Sequence, residues 1–286
     1  MKTLTITCEN IDQIPALLSC GCDEVILAMQ GECFTSMHGF SLEELIEISR
    51  KYPNKTAVLM NRLYGEEEIE EAEEKLERIL PAVRYVFFAD PALLAKAMKL
   101  GHQDQMIYRP ETLLTSHEDG AWWMSQGIAS IQISPLLTEE EICEIAAHIP
   151  HTGLQIHGRL LMSVSKRKLL SAFAEVNQLS SLSDHRNLYL KEESREGRMP
   201  VYENAYGTMI YTDYVQESFQ YMPAFMKAGI ERFEIDTNGL SEDEINDAAV
   251  IYRHILDGQS DDGSSYYQAH SQLPLSTGYY GQKTVK

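Results

Sequence analysis

The sequence predicts an α/β fold, a (β/α)8 barrel of the TIM type with an irregular excursion after the seventh strand, on three observations. Short apolar runs alternate with amphipathic stretches almost from end to end, the pattern of βαβ units and a parallel sheet. Seven such units plus FEIDT (233–237) supply eight main strands, the number a closed barrel needs. No strand is followed by GxGxxG or by a P-loop, the phosphate fingerprints of open nucleotide-binding sheets. A doubly wound open sheet stands as the runner-up.

The elements follow in order. TLTITC (3–8) reads as a strand, and NIDQIPALLSCG (10–21) as a helix opened by Asn10. EVILAM (24–29) precedes a loop over 30–40, and Ser41 with Glu44 has the spacing of a capping box that starts the next helix. KTAVLMNRL (55–63) is the third strand. Its acidic helix (66–80) turns Ile69, Ala72 and Leu76 to the barrel and its carboxylates to water. YVFFAD (85–90) leads into PALLAKAMKLG (91–101), where Pro91 suits a first turn and Gly101 a helix end. MIYRPETLL (106–114) and SIQISPLL (130–137) each precede a helix, the first carrying Trp122 and Trp123, of which one is expected in the core. GLQIHGRLL (153–161) is the seventh strand, followed by the helix KRKLLSAFAEVN (166–177). The rhythm then breaks into an excursion over about 178–206. It resumes with GTMIYTD (207–213) as a strand and 214–229 as a helix, and ends with FEIDT and the helix 241–256. This gives one barrel domain over 1–256 and a tail, 257–286, expected to be extended or partly disordered.

Composition narrows the function. With 24 Lys+Arg against 43 Asp+Glu the net charge is −19, which excludes a simple electrostatic nucleic-acid binder, because phosphate contacts need surplus cations. The locally basic region runs from Lys166 through Arg198. Five cysteines, four of them within the first 33 residues, give neither a disulfide framework nor a spaced metal site. The first residues lack the apolar core of a signal peptide and no run reaches membrane-span length, so a cytoplasmic protein with no membrane association is expected.

In a barrel, chemistry collects where strands end. That filter selects Glu9, Asn10, Asn61, Arg62, Asp90, Glu111, Thr112, His157, Arg159, Asp236 and Asn238, of which Asn10 and Asp90 read as helix caps. The ligand candidates are Asn61, Glu111, Thr112, His157, Arg159 and Asp236, with Arg186 from the basic segment as a further ligand clamp. Asn61 either binds a ligand or closes its own turn. His157 is the sharpest signal and the best catalytic candidate, since it ends a strand and Gly158 allows close backbone approach. The opposing reading is a buried histidine bonded to a carbonyl. His157, Arg159 and Arg186 together suit a carboxylate ligand. No GxSxG accompanies them.

The stretch LQIHGRLLMSVSKRKLLSAF resembles peptidase family U32 through His157, Gly158, Leu160, Ser165, Leu169 and Ser171. EGRMPVYENAYGT continues the resemblance through Arg198, Pro200, Glu203, Gly207 and Thr208, and AGIERFEIDT is similar to the family's A-G-I-x-x-F-K-I-E-G-R segment. Glu111 to Ile128 and the closing STGYYGQKTVK resemble the short member of a two-protein set of Gram-positive bacteria. The resemblance implies a bacterial (β/α)8 barrel, the hydrolase and protease labels of the family name, and a part in tRNA modification by hydroxylation of the wobble uridine.

The departures set the expectation of role. The family's four cysteines, which hold an iron–sulfur cluster in its hydroxylating members, fall at Leu161, Lys168, about Ser181 and His185. Leucine and lysine do not ligate a cluster. The strand-seven glutamate becomes Gly153, the lysine and glutamate of K-I-E-G-R become Glu234 and Asp236, and a loop arginine becomes Met37. The resemblance therefore implies an auxiliary, non-catalytic protein without a cluster of its own. It would work beside a longer, cluster-bearing U32 protein that brings the tRNA, with a homo-oligomer also open. The alternatives are a collagenase-like U32 peptidase, or a barrel binding a small anionic metabolite with prephenate as the first ligand to test.

Overall fold

A computed structural model describes residues 2–36, 38–183, 185, 187–193 and 196–282. β1 (Thr3–Cys8) leads to α1 (Ile14–Ser19), β2 (Glu24–Ala28) to α2 (Leu42–Lys51), and β3 (Thr56–Met60) to α3 (Ile69–Ile79). β4 (Tyr85–Phe88) precedes α4 (Pro91–Leu100), β5 (Met106–Tyr108) α5 (His117–Ser125), and β6 (Ser130–Ile133) α6 (Glu139–His148). After β7 (Thr152–His157) the chain leaves the barrel for β8 (Leu161–Ser165), α7 (Leu169–Val176), β9 (Tyr189–Leu190), β10 (Met199–Asn204) and β11 (Gly207–Tyr211). β12 (Val215–Gln216) and α8 (Met222–Ala228) bring it back to the eighth barrel strand, β13 (Arg232–Ile235), then to α9 (Glu242–Leu256), α10 (Ser264–Ala269) and β14 (Leu275–Ser276).

The barrel is closed and parallel, in the order β1-β13-β7-β6-β5-β4-β3-β2, as the alternation predicted. β1 seals it by pairing with β13 on one side and β2 on the other. Period-two alternation sorts the strand residues into two cores. Leu4, Ile6, Val25, Leu27, Val58, Met60, Val86 and Phe88 face the helices, while Ile26, Ala28, Ala57, Leu59, Phe87 and Ile107 fill the lumen. The helices dock through apolar stripes such as Leu42, Leu45 and Ile48 of α2, each worth about 1.5–3 kcal/mol of burial. Capping boxes start α2 at Ser41, α6 at Thr138 and α9 at Ser241. Trp123 is the core tryptophan, stacked 3.7 Å from Tyr108, and Trp122 stays exposed.

Three regions depart from the sequence reading. The seventh strand stops at His157 rather than running to 161, because Gly158 turns the chain outward at φ +109°. A Cβ there would collide with the Asp236 carbonyl, so the close approach that glycine permits is to β13. The excursion is longer and more regular than 178–206. β8, β11, β10 and β9 form a four-stranded antiparallel sheet, in which 207–211 pairs with β8 and β10. The helix expected over 214–229 shrinks to α8, since residues 215–216 pair with β14. The tail, expected to be extended or partly disordered, is built into the barrel side through 282, with Tyr266 and Tyr280 as core residues. Its aperiodic pattern hid this, because tyrosine bodies anchor it one at a time.

Candidate functional site

At the C-terminal end of the lumen the strand ends bring one cation and three carboxylates together. Arg109, just past β5, is buried. Its Nε lies 3.3 Å from Glu111 Oε1, and its Nη2 lies 2.9 Å from Glu234 Oε1 and 3.5 Å from Asp236 Oδ2. Glu234 Oε1 and Arg109 Nη1 have no hydrogen-bonded partner, so the 2.9 Å contact with Glu234 is an ion pair without hydrogen-bond alignment. Gln132 Nε2 donates to the other Glu234 oxygen at 2.9 Å. Asn61, fully buried at the end of β3, donates to Glu111 Oε1 at 2.7 Å and to Thr35 Oγ1 at 3.0 Å, and accepts from the Phe34 amide. Glu111 reaches its place at φ +58°, a left-handed backbone that costs a non-glycine residue about 1 kcal/mol or more.

Charge in this cluster is unbalanced. Burial pushes the Glu234 carboxyl up to about 7, opposed by Arg109 and reinforced by Asp236 and Glu111. Burial also raises Glu111, against Arg109 and the Asn61 bond. Burial works against the Arg109 charge, yet Glu111, Glu234 and Asp236 hold the guanidinium protonated above its ordinary range.

The cluster is covered. Cys33 folds back into the lumen core, and the β2–α2 loop that carries it is tied to the excursion sheet. Tyr211 Oη donates to the Thr35 carbonyl at 2.9 Å and Asn204 Nδ2 to the Phe34 carbonyl at 3.1 Å. Leu161, Tyr202, Met209 and Tyr211 make the sheet's own apolar cluster over Phe34. Among the described residues, a small cavity of about 20 Å³, room for one water, lies between Thr35, Ser36, Asp236 and Asn238. A larger groove of about 300 Å³ lies outside, between Phe34, Arg62, Val164, Lys166 and Tyr206. The Arg62 guanidinium there already pairs with Glu68 and the Gly31 carbonyl and sits 4.0 Å over the Tyr206 ring.

Of the residues selected from sequence, Asn61, Glu111 and Asp236 meet in the cluster. Thr112 follows Glu111 in the same turn but joins none of these bonds, and Arg186 lies outside the described residues, as does Met37. Arg159 is half-buried and donates to the Thr212 carbonyl at 2.8 Å, pinning the chain between sheet and barrel. His157 takes up the buried alternative, with tyrosine hydroxyls in place of a carbonyl. It is fully buried and points to the helix layer, with Nδ1 3.3 Å from Tyr252 Oη, Nε2 3.0 Å from Tyr266 Oη, and Phe219 beside it. A bulge is the cause. Glu234 pairs with Gln155 but Ile235 pairs with His157, so one extra residue reverses the alternation that would have put the imidazole in the lumen. Burial lowers its pKa to about 3, keeping it neutral.

Sequence reasoning missed Arg109, and it noted Glu234 only as a departure. The signal was present, since both follow the inward parity of their strands and an arginine inside an apolar lumen needs carboxylates. The positions aligned to the family cysteines are scattered in character. Leu161 is buried in the sheet's apolar cluster, Lys168 precedes α7 in solvent, Ser181 is exposed with its hydroxyl 3.0 Å from that of Ser183, and His185 is exposed. The matched residues Ser171, Glu203 and Thr208 form a cap. The buried Glu203 carboxylate accepts from the Leu170 amide at 2.7 Å, the Ser171 amide and hydroxyl, and Thr208 Oγ1 at 3.0 Å. The thiols of Cys8 and Cys33 are pushed up to about 11 by burial. No helix among the described residues is long and apolar enough to cross a membrane.

Peptidase family U32 matches residues 9–284. The tRNA hydroxylation protein P2 of Bacillus subtilis (strain 168) is 24% identical over 263 residues, 89% of this chain and 85% of that protein. Among solved structures, a monomeric form of phosphoribosylanthranilate isomerase from Thermotoga maritima superposes with a TM-score of 0.51. The overlap covers 90% of this chain and 100% of that one at 9% identity, a likeness of fold alone. Thiamine phosphate pyrophosphorylase from Pyrococcus furiosus gives a TM-score of 0.48 over 90% of this chain and 96% of that one, at 10% identity.

Proposed function

The chain belongs to peptidase family U32, and from that premise we propose that it acts in the cytoplasm as an auxiliary, non-catalytic component of tRNA wobble-uridine hydroxylation. Its partner in this reading is a longer, cluster-bearing protein of the same family that supplies most of the tRNA contact. The likeness to tRNA hydroxylation protein P2 supports the process. The observation that carries the auxiliary role is the closed mouth. The end of the barrel where such folds place substrates holds a buried carboxylate–guanidinium cluster under a sheet, beside a cavity of about 20 Å³.

The donor set supports the absence of a cluster. An iron–sulfur cluster takes thiolates, whereas the aligned positions offer a buried leucine methyl, an ammonium, a hydroxyl and one exposed imidazole. Peptide hydrolysis draws no support from these residues, because the buried thiols stay protonated and His157 is engaged by two tyrosines. The cavity of about 20 Å³ beside the cluster is too small for a dicarboxylate such as prephenate, which leaves the outer groove of about 300 Å³ between Arg62 and Lys166 as the place to test that ligand.

The test is iron analysis and single-turnover assay of the anaerobically purified chain. The expected result is no stoichiometric iron and no uridine hydroxylation by the chain alone, with activity appearing when a longer U32 protein from the same organism is added. Hydroxylation by the chain alone would overturn the auxiliary role.

A further inference from the structure

The excursion sheet carries a helix whose outer face has no partner among the described residues. Of the thirteen large apolar side chains exposed among the described residues, four, Leu169, Phe173, Val176 and Leu179, lie on or just after α7, a concentration that scattered surface residues do not produce. Its centre is α7. Ala174 faces inward to the sheet, while Leu169, Phe173 and Val176 stand at i, i+4 and i+7 on the outer side, 44, 56 and 82% exposed.

The charges of this helix are on the wrong ends. Lys166, Arg167 and Lys168 gather at its N-terminus, where a helix favours anions, and Glu175 sits in its last turn, where it favours cations. The side chains of Lys168 and Glu175 find no ion-pair partner among the described residues. The wider charge distribution is split in the same way. Residues 159–198 hold eight Lys+Arg against five Asp+Glu, and the rest of the chain 16 against 38.

We propose that this face is an interface between two copies of the chain, related by a two-fold axis and joined by antiparallel packing of α7 on α7. The arrangement is self-complementary, as a two-fold contact requires. Setting Leu169 opposite Val176 of the second copy puts each Phe173 ring against the small Ala172 of the other. Each Lys168 then comes within about 3 Å along the axis of the other copy's Glu175, at 1.5 Å of rise per residue. Both sets of misplaced charge meet the opposite helix end. A foreign helix would satisfy the apolar stripe, whereas a copy of α7 brings the complementary charge order as well. The inference stands apart from the functional reading, since it uses no residue of the lumen cluster.

Sedimentation velocity and light scattering of the full chain, up to about 100 µM, test it. The expected result is a reversible species of twice the monomer mass. Phe173→Asp is expected to weaken dimerisation by about 30-fold or more, the effect of losing a central aromatic anchor. Phe173 is exposed, so an unchanged circular dichroism melt will show that the fold is intact. Lys168→Glu is expected to weaken the dimer, and Lys168→Glu with Glu175→Lys to restore it. A monomer across the whole range overturns the proposal, as does a dimer indifferent to Phe173→Asp. A charge swap that fails to restore association overturns the antiparallel arrangement, and a monomer that binds some other protein through this face overturns the choice of a second copy.

Discussion

Replacing Arg109 by methionine keeps most of the side-chain volume and removes the cation that Glu111, Glu234 and Asp236 share. Deleting one partner of a buried ion pair typically costs about 3–5 kcal/mol, because the other charge stays buried without compensation. For a domain of this size that is roughly 6–20 °C in melting temperature. The pH dependence identifies the cause. Glu234 already titrates at about 7, above its unfolded value, so the native state binds a proton that the unfolded state releases. Its contribution is therefore fully present below the unfolded pKa and is lost as pH rises through 7. Without Arg109 the carboxylates hold protons more tightly still, so the deficit of Arg109→Met is expected to be largest at pH 8 and to shrink toward pH 5. Adding Glu234→Gln, which keeps an acceptor for Gln132 Nε2, is expected to recover a large part of the loss at pH 8. Urea unfolding followed by circular dichroism at pH 5, 6.5 and 8 measures all of this. A deficit below about 1 kcal/mol, or one independent of pH, would show that the cluster is not the buried, charge-coupled plug described above.

Three further outcomes follow from the geometry. His157→Phe leaves the Tyr266 hydroxyl unpaired and is expected to cost about 1–3 kcal/mol at pH 8. Because the folded histidine titrates at about 3, the wild type loses stability as pH falls below the unfolded value. The difference from the phenylalanine variant should therefore narrow with acid, read by thermal melts from pH 8 to 5. Glu203→Gln weakens the cap on α7. Burial opposes this carboxylate's charge, but the bonds from Ser171, Leu170 and Thr208 hold its pKa below the usual range. Its stabilisation is thus present above the unfolded pKa and lost in acid, and a loss of about 1–3 kcal/mol at pH 7 that fades near pH 3 is expected in denaturant titrations. Tyr280→Ala removes a core ring whose hydroxyl meets Gln216 Nε2 at 2.7 Å and Ser218 Oγ at 3.0 Å, and should cost about 3–5 kcal/mol by calorimetry. A negligible effect would mean that the tail does not pack on the barrel.

The barrel was legible because each strand announces itself locally. Apolar runs such as TAVLM and capping boxes at Ser41 and Ser241 carry their structure within a few residues. Half of the candidate cluster was legible too, since Asn61, Glu111 and Asp236 are polar residues at strand ends. Arg109 and Glu234 escaped because each makes sense only beside the other, 125 residues apart in the sequence. The bulge beside Gln155 was invisible because it is set by pairing with β13, and one residue of slip sent His157 to the helices. The sheet and the tail escaped for a related reason. β9, β12 and β14 are two-residue strands that no local periodicity marks, and the partners of β12 and β14 lie sixty residues apart in the sequence.

The central claim is that this chain serves wobble-uridine hydroxylation without being its catalyst. Mass spectrometry of tRNA nucleosides from a strain lacking its gene tests that most directly. Complementation would use the wild type and the lumen variant Glu234→Gln, which alters the cluster while keeping its hydrogen bond to Gln132. The account expects 5-hydroxyuridine derivatives to disappear on deletion and to return with both forms. An unchanged nucleoside profile in the deletion strain would detach the protein from tRNA modification. Rescue by the wild type alone, with Glu234→Gln folded and abundant, would make the lumen cluster catalytic and contradict the account.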